Sequence, residues 1–159
     1  MTTQNRQVVA ALKTLLVESP LDMVVRGEAL LQGLVPLTDA ECAEGLFELF
    51  TDEDDAQGLL WSVLQVLETL PAATFALALL SASPELSQSS LDWTEIFFLR
   101  ALRHPQTKAS LETVAKEGKG LRRNETSQTL ATIQERNPKD SQLFQPLLSL
   151  LAQPQPSKH

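Results

Sequence analysis

A chain of 159 residues with 43% hydrophobic content is long enough to bury a core without disulfides or metals, and its composition excludes wholesale disorder. A formal net charge of -7 makes nucleic acid and anionic membrane poor partners and favours a basic one. The lone cysteine, Cys42, rules out an internal disulfide.

The start, MTTQNRQVV, has none of the features of a secretory signal, and no apolar run approaches the roughly 18 residues of a membrane span. The expected location is therefore the cytoplasm. Charge is unevenly spread along the chain. Residues 27–99 hold thirteen acids and no Lys or Arg, whereas residues 100–159 hold ten bases against five acids.

In chain order, Val8, Leu12, Leu15 and Leu16 stand at helical spacing over residues 3–18, and Ser19-Pro20 closes this first helix. Asp22 is placed to cap a second helix carrying Val24, Val25, Leu30, Leu31 and Leu34, which Pro36 ends. Thr38 followed by Glu41 is a capping-box pattern for the third.

The third helix is amphipathic, with Glu41, Glu44 and Glu48 on one side and Ala43, Leu46, Phe47 and Phe50 on the other. Asp52, Glu53, Asp54 and Asp55 extend the negative surface with no nearby base in sequence, and suit the start of a fourth helix by meeting its positive dipole end. That helix, over residues 55–70, is apolar nearly all round except for Ser62, Gln65, Glu68 and Thr69, as expected of a buried central element.

Pro71 fits the first turn of a fifth helix, which SASP at 81–84 is expected to break. Asp92 and Glu95 repeat the capping spacing ahead of Trp93, Ile96, Phe97, Phe98, Ala101 and Leu102, and this sixth helix ends near His104-Pro105. Further helices are predicted over residues 107–117, from a cap at Asn124 to Asn137-Pro138, and over 140–151, where Pro146 demands a kink or a late start. No segment alternates with period two. The expectation is an all-α fold of seven to nine short helices packed as antiparallel αα-hairpins, either a HEAT-like array or an irregular bundle. A single domain over residues 1–152 and a disordered tail at 153–159 complete the expected organisation.

Catalytic and metal chemistry find little support. His104, His159 and Cys42 are the only His and Cys residues, and none is paired by local spacing, so neither a metal site nor a cofactor is expected. Placing Gly58 at the sixth position of a calcium loop puts Leu64 where a bidentate Glu belongs, which excludes the EF-hand pattern. Cys42 borders the apolar face of the third helix, where an inert thiol is expected rather than a nucleophile working with His104. Consecutive acids at a helix start are usually a solvated cap. The chain does not read as an enzyme.

Two positions invite structural roles. Trp61 falls near the polar stripe of the fourth helix; packing against a neighbouring helix is the plainer reading, and an exposed binding hot spot the sharper one. Arg100 stands seven residues after Trp93 on the apolar side of the sixth helix, and a half-buried Arg wants a carboxylate. An ion pair with Glu68 is expected.

The segments LFTDEDDAQGLLWSVLQVLETLP, FALALLSASPEL and LDWTEIFFLRALRHP resemble the all-helical immunity proteins of bacterial polymorphic-toxin systems, in particular the immunity protein thirty family. The resemblance covers about residues 46–105 and rests on fold positions. It implies a protein that binds and neutralises a cognate toxin domain, commonly a nuclease or nucleotide-modifying enzyme with a basic cleft. On that reading Glu41, Glu44, Glu48, Asp52, Glu53, Asp54, Asp55 and Trp61 are the expected partner-binding residues, with nucleic acid and membrane excluded as partners. A helical adaptor or secretion chaperone that holds a peptide or effector segment is the alternative.

Overall fold

The computed structural model describes residues 2–34 and 39–154 and is all-helical over them. Nine α-helices are present among the described residues: α1 (Thr3–Glu18), α2 (Met23–Gln32), α3 (Ala40–Phe47), α4 (Gln57–Glu68), α5 (Ala72–Ser89), α6 (Leu91–Arg103), α7 (Pro105–Glu117), α8 (Arg123–Arg136) and α9 (Ser141–Ala152). Helices α1, α3, α5, α7 and α9 pack in succession to form one layer, while α2, α4 and α6 lie beside them as a second. Helix α8 returns onto α5 and α9. The result is an all-helical stack over α1–α7, closed at its C-terminal end by α8 and α9.

The core is aromatic at its centre. Phe47, Phe50, Phe97, Phe98 and Phe144 are fully buried, and α4 contributes Leu59, Leu60, Val63, Leu64 and Leu67. Arg123 closes the far end by donating to the carbonyls of Ala115, Leu150, Leu151 and Gln153. These groups include orphan acceptors of the last turn of α9, so one guanidinium supplies the C-terminal cap and ties α7, α8 and α9 together.

Several sequence expectations are corrected here. The fifth helix does not break at 81–84: α5 runs through Pro84 to Ser89. Proline removes the N–H that would serve the carbonyl four residues back. The buried Ser83 hydroxyl donates to that carbonyl, Leu80 O, at 2.9 Å instead. Pro146 is likewise inside α9, which starts at Ser141 without waiting for it.

The caps also differ. Thr38 lies outside the described residues; the cap of α3 is Asp39, whose Oδ1 accepts from Cys42 N at 2.7 Å. Ser90, not Asp92, caps α6, its Oγ accepting from Trp93 N at 3.1 Å. Asp22 makes no side-chain cap, and Asn124 sits inside α8 rather than before it.

Helix α2 turns a different face inward from the one its valines suggest. Met23, Gly27 and Leu31 are buried, at i, i+4 and i+8, while Val25 is exposed and Val24 partly so. The decisive residue is Gly27. Any β-carbon there would meet Leu59 Cδ1 at 2.2 Å, so the absence of a side chain sets how closely α2 and α4 approach.

Candidate partner-binding surface

The first turn of α6 is where several of the singled-out residues converge. Ser90, besides capping the helix, donates its hydroxyl to Asp52 Oδ1 and so anchors the loop between α3 and α4. The Trp93 indole N–H donates to Gln57 Oε1 at 2.9 Å, fixing the start of α4 against the same turn. Arg136 reaches over from α8 to bind Asp92 at 2.6 Å and Glu95 at 2.9 Å. Its hydrogen bond to Asp92 and the surrounding charges of Glu95, Asp92 and Asp52 hold the guanidinium more firmly protonated than usual, against a smaller opposing effect of burial.

Trp61 stands next to this turn. Its ring meets Trp93 edge-on at 4.9 Å, yet the residue keeps 44% of its surface exposed. Trp93 in turn contacts Phe50 at 4.9 Å, Phe50 contacts Phe97 at 4.8 Å, and Phe97 contacts Phe47 at 4.9 Å, all edge-to-face. Trp61 is thus the solvent end of an aromatic column rooted in the core: it packs against a neighbouring helix, as the plainer reading has it, and is also exposed. Edge-to-face contacts of this kind favour one ring orientation, which leaves an exposed ring with little entropy to lose on binding.

The eight expected partner-binding residues have neighbours in different parts of the fold. Asp52 and Trp61 contact the first turn of α6 and Glu53, Asp54 and Asp55 follow Asp52 in the same loop and 3-10 turn, whereas Glu41, Glu44 and Glu48 lie on and at the end of α3. There Lys13 of α1 binds Glu48 at 2.8 Å, and Arg6 lies 3.9 Å from Glu41. Glu44 lines a groove against Ser81, Ala82 and Glu85 of α5. Burial, then the charges of Glu48 and Glu41, raise its pKa above the ordinary carboxylate value.

The acidic span of residues 27–99 contains no base of its own, but the fold supplies several. Bases from both flanks fold onto it: Arg100 onto Glu68, Arg122 onto Glu85 and Arg136 onto Asp92 and Glu95, besides the two pairs from α1. Sequence distance hid these contacts. Glu53, Asp54 and Asp55, like Glu28 and Asp52, are exposed and without an ion pair among the described residues.

Arg100 Nη2 lies 2.8 Å from Glu68 Oε1, and Nε lies 3.3 Å from Oε2, a two-pronged pair joining α6 to α4. The pair is half exposed rather than buried, so its contribution to stability is small, on the order of 1 kcal/mol or less. It borders a cleft of about 690 Å³ floored by Leu70, Phe75, Phe97 and Ala101. Cys42 is buried in α3 and burial pushes its thiol up to about 11, with Asp39 adding to the shift. His104 lies elsewhere, as the exposed cap of α7. No group of three or more His, Cys, Asp or Glu residues suited to a metal occurs among the described residues. No described helix is long and apolar enough to cross a membrane.

The family model described as immunity protein 30 matches residues 13–111, more than half of the chain. The chain belongs to the immunity protein 30 family. Neither a curated protein nor a solved structure matches it. The matched span of this immunity protein runs from within α1 into α7 and contains the 52–55 loop, Trp61, the first turn of α6 and the Glu68–Arg100 cleft. Helices α8 and α9 lie beyond it, yet α8 supplies Arg136 to the candidate surface. Ser90 was within reach of sequence reasoning, since a serine directly before an apolar helical run is a cap signal. Gln57 and Arg136 were not, because only the tertiary fold brings them to α6.

Proposed function

We propose that this protein protects a producing cell by binding a cognate toxin domain, and that the contact centres on Trp61 and the exposed carboxylates of Glu53, Asp54 and Asp55. The observation that carries the reading is the exposed Trp61 ring, backed by buried aromatics and set beside charges that no base of the described chain takes up. A rigid aromatic anchor in a charged rim is the usual composition of a binding hot spot. Unpaired carboxylates speed encounter with a basic cleft, as on a nuclease or a nucleotide-modifying enzyme. The protein acts by binding rather than by catalysis, in the cytoplasm, as one helical domain.

The carboxylates of Glu41, Glu44 and Glu48 are secondary on this reading, since α1 already answers two of them. The direct test is co-expression with the toxin domain encoded by the neighbouring gene. Growth rescue and co-purification support the proposal; a harmless neighbour, or absence of both rescue and binding, overturns it. One observation favours the adaptor reading instead: Val17, Leu21 and Val25 are exposed around the α1–α2 turn. Loss of rescue on changing Val17 and Leu21 to Ser, with Trp61→Ser harmless, would transfer the interface there.

A further inference from the structure

We infer that the cleft bordered by Glu68 and Arg100 is a second contact point for the same partner, shaped for a segment in which a large apolar side chain stands beside a carboxylate. The identity of the partner as a toxin rests on the proposed function above; the chemistry of the cleft does not.

The argument starts from the way α4 and α6 run. Trp61 meets Trp93 and Glu68 meets Arg100, and both pairs are 32 positions apart. Equal offsets at two places mean that the helices run parallel and in register. Trp61 and Glu68 are two turns apart on one face of α4, as Trp93 and Arg100 are on α6, which separates the two places by about 10 Å. A partner seated on Trp61 therefore reaches the cleft without leaving the seam between the two helices.

The two ends of that seam have opposite character. At the Trp61 end stand Glu53, Asp54 and Asp55; at the other, Arg100, Arg103 and His104 project into the cleft from the last turn of α6 and its cap. Both guanidiniums retain donors. Glu68 takes Nε and Nη2 of Arg100, leaving Nη1. Asp140 takes Nη2 of Arg103, leaving Nη1 and Nε. His104 Nδ1 lies 3.4 Å from the backbone N of Thr107 and 3.2 Å from its hydroxyl at the cap of α7, and Nε2 is a donor in the tautomer in which Nδ1 only accepts. Two carboxylates oppose them, Glu68 clamped by Arg100 and Asp140 bound to Arg103, and of the two Glu68 lines the cleft itself.

Free guanidinium donors over a floor of Phe75 and Phe97, with the His104 ring beside them, match a carboxylate attached close to an apolar side chain. The volume of about 690 Å³ falls within the roughly 300–1,000 Å³ that ligand pockets span, room for one aromatic side chain and its neighbours. A partner recognised at both ends must present a base toward Glu53, Asp54 and Asp55 and an acid toward Arg103. That polarity fixes its orientation along the seam.

The test titrates the ¹⁵N-labelled full chain with three capped dipeptides, acetyl-Phe-Glu-amide, acetyl-Phe-Gln-amide and acetyl-Ala-Glu-amide, following the Arg103 Nε and His104 Nε2 resonances. Acetyl-Phe-Glu-amide is expected to shift both saturably, and to bind at least about fivefold more tightly than either control, since each control lacks one of the two contacts. Arg103→Gln is expected to weaken it by a similar factor while leaving the amide spectrum of the core unchanged. Equal binding of the three peptides, or no saturable shift, overturns the proposal. Tighter binding of adenosine monophosphate than of acetyl-Phe-Glu-amide also overturns it, in favour of a nucleotide site. Peptide binding without growth rescue would refute the toxin reading alone. Rescue without peptide binding, and with toxin affinity unchanged by Arg103→Gln, would refute the cleft alone.

Discussion

Gly27 offers a case in which local and tertiary terms oppose each other and the structure decides the sign. In a helix interior, replacing Gly by Ala stabilises by about 1 kcal/mol through backbone entropy alone. At Gly27 the new methyl would stand 2.2 Å from Leu59 Cδ1, 2.7 Å from Cδ2 and 3.0 Å from Cγ. Leu59 is wholly buried, so its methyls have no open space to turn into, and overpacking of such a core costs about 1–3 kcal/mol or more. With contacts this short the upper part of that range applies, and Gly27→Ala is expected to destabilise by about 1–2 kcal/mol net.

Urea unfolding followed by tryptophan fluorescence measures the difference. Gly45→Ala is the internal control: its β-carbon would lie 3.3 Å from Val9 Cγ1, a contact that a few tenths of an ångström relieves. It should be neutral or stabilising by up to about 1 kcal/mol. Leu59→Ala alone should cost about 2–5 kcal/mol, and in the double variant the Gly27→Ala penalty should vanish or reverse because the clashing methyls are gone. A stabilising Gly27→Ala, or additive effects in the double variant, would refute the close approach of α2 and α4.

Arg123→Met removes four hydrogen bonds to carbonyls, and should lower stability by about 2–4 kcal/mol and speed amide exchange in α9 before the rest of the chain. Because the Cys42 thiol is raised from 9.0 to about 11 in the folded protein, the stability tied to its protonated form is full below about pH 9 and is lost as pH rises toward 11. The chain has no tyrosine to titrate in the same window. A decline in the urea midpoint over that range that persists unchanged in Cys42→Ala would contradict the assignment. Glu44 also has a raised pKa, so its charged form is disfavoured at neutral pH and Glu44→Gln should leave stability at pH 7 unchanged or slightly higher. A clear loss of stability would instead indicate a favourable partner for the charge.

The helices up to α6 were legible from their apolar periods and the prolines or glycines near their boundaries, whereas α8 rests on little more than Leu130 and Ile133; α1, α4, α6 and α7 sit close to where spacing alone puts them. Pro84 misleads because its local rule is sound and its remedy is a side chain: the Ser83 hydroxyl takes the carbonyl that proline orphans. In α2 the inward face is invisible to a hydrophobicity count, since its central residue is Gly27. The candidate surface was only partly legible. The 52–55 carboxylates and Trp61 announce themselves locally, but the answers to Glu48 and Asp92 come from Lys13 and Arg136, 35 and 44 positions away. Charge counted along a chain overstates charge on a surface wherever distant helices pack side by side. Asp52 shows the same effect, since Ser90 holds it as part of the loop anchor.

The central claim is that Trp61, Glu53, Asp54 and Asp55 face the toxin, and association kinetics test it most directly. Asp52 is left untouched because it anchors the loop. For the combined change Glu53→Lys, Asp54→Lys and Asp55→Lys, the association rate with the purified cognate toxin domain at low salt should fall about tenfold or more, and its dependence on ionic strength should flatten. An association rate and salt dependence indistinguishable from those of the unaltered protein would contradict the account and place the interface elsewhere.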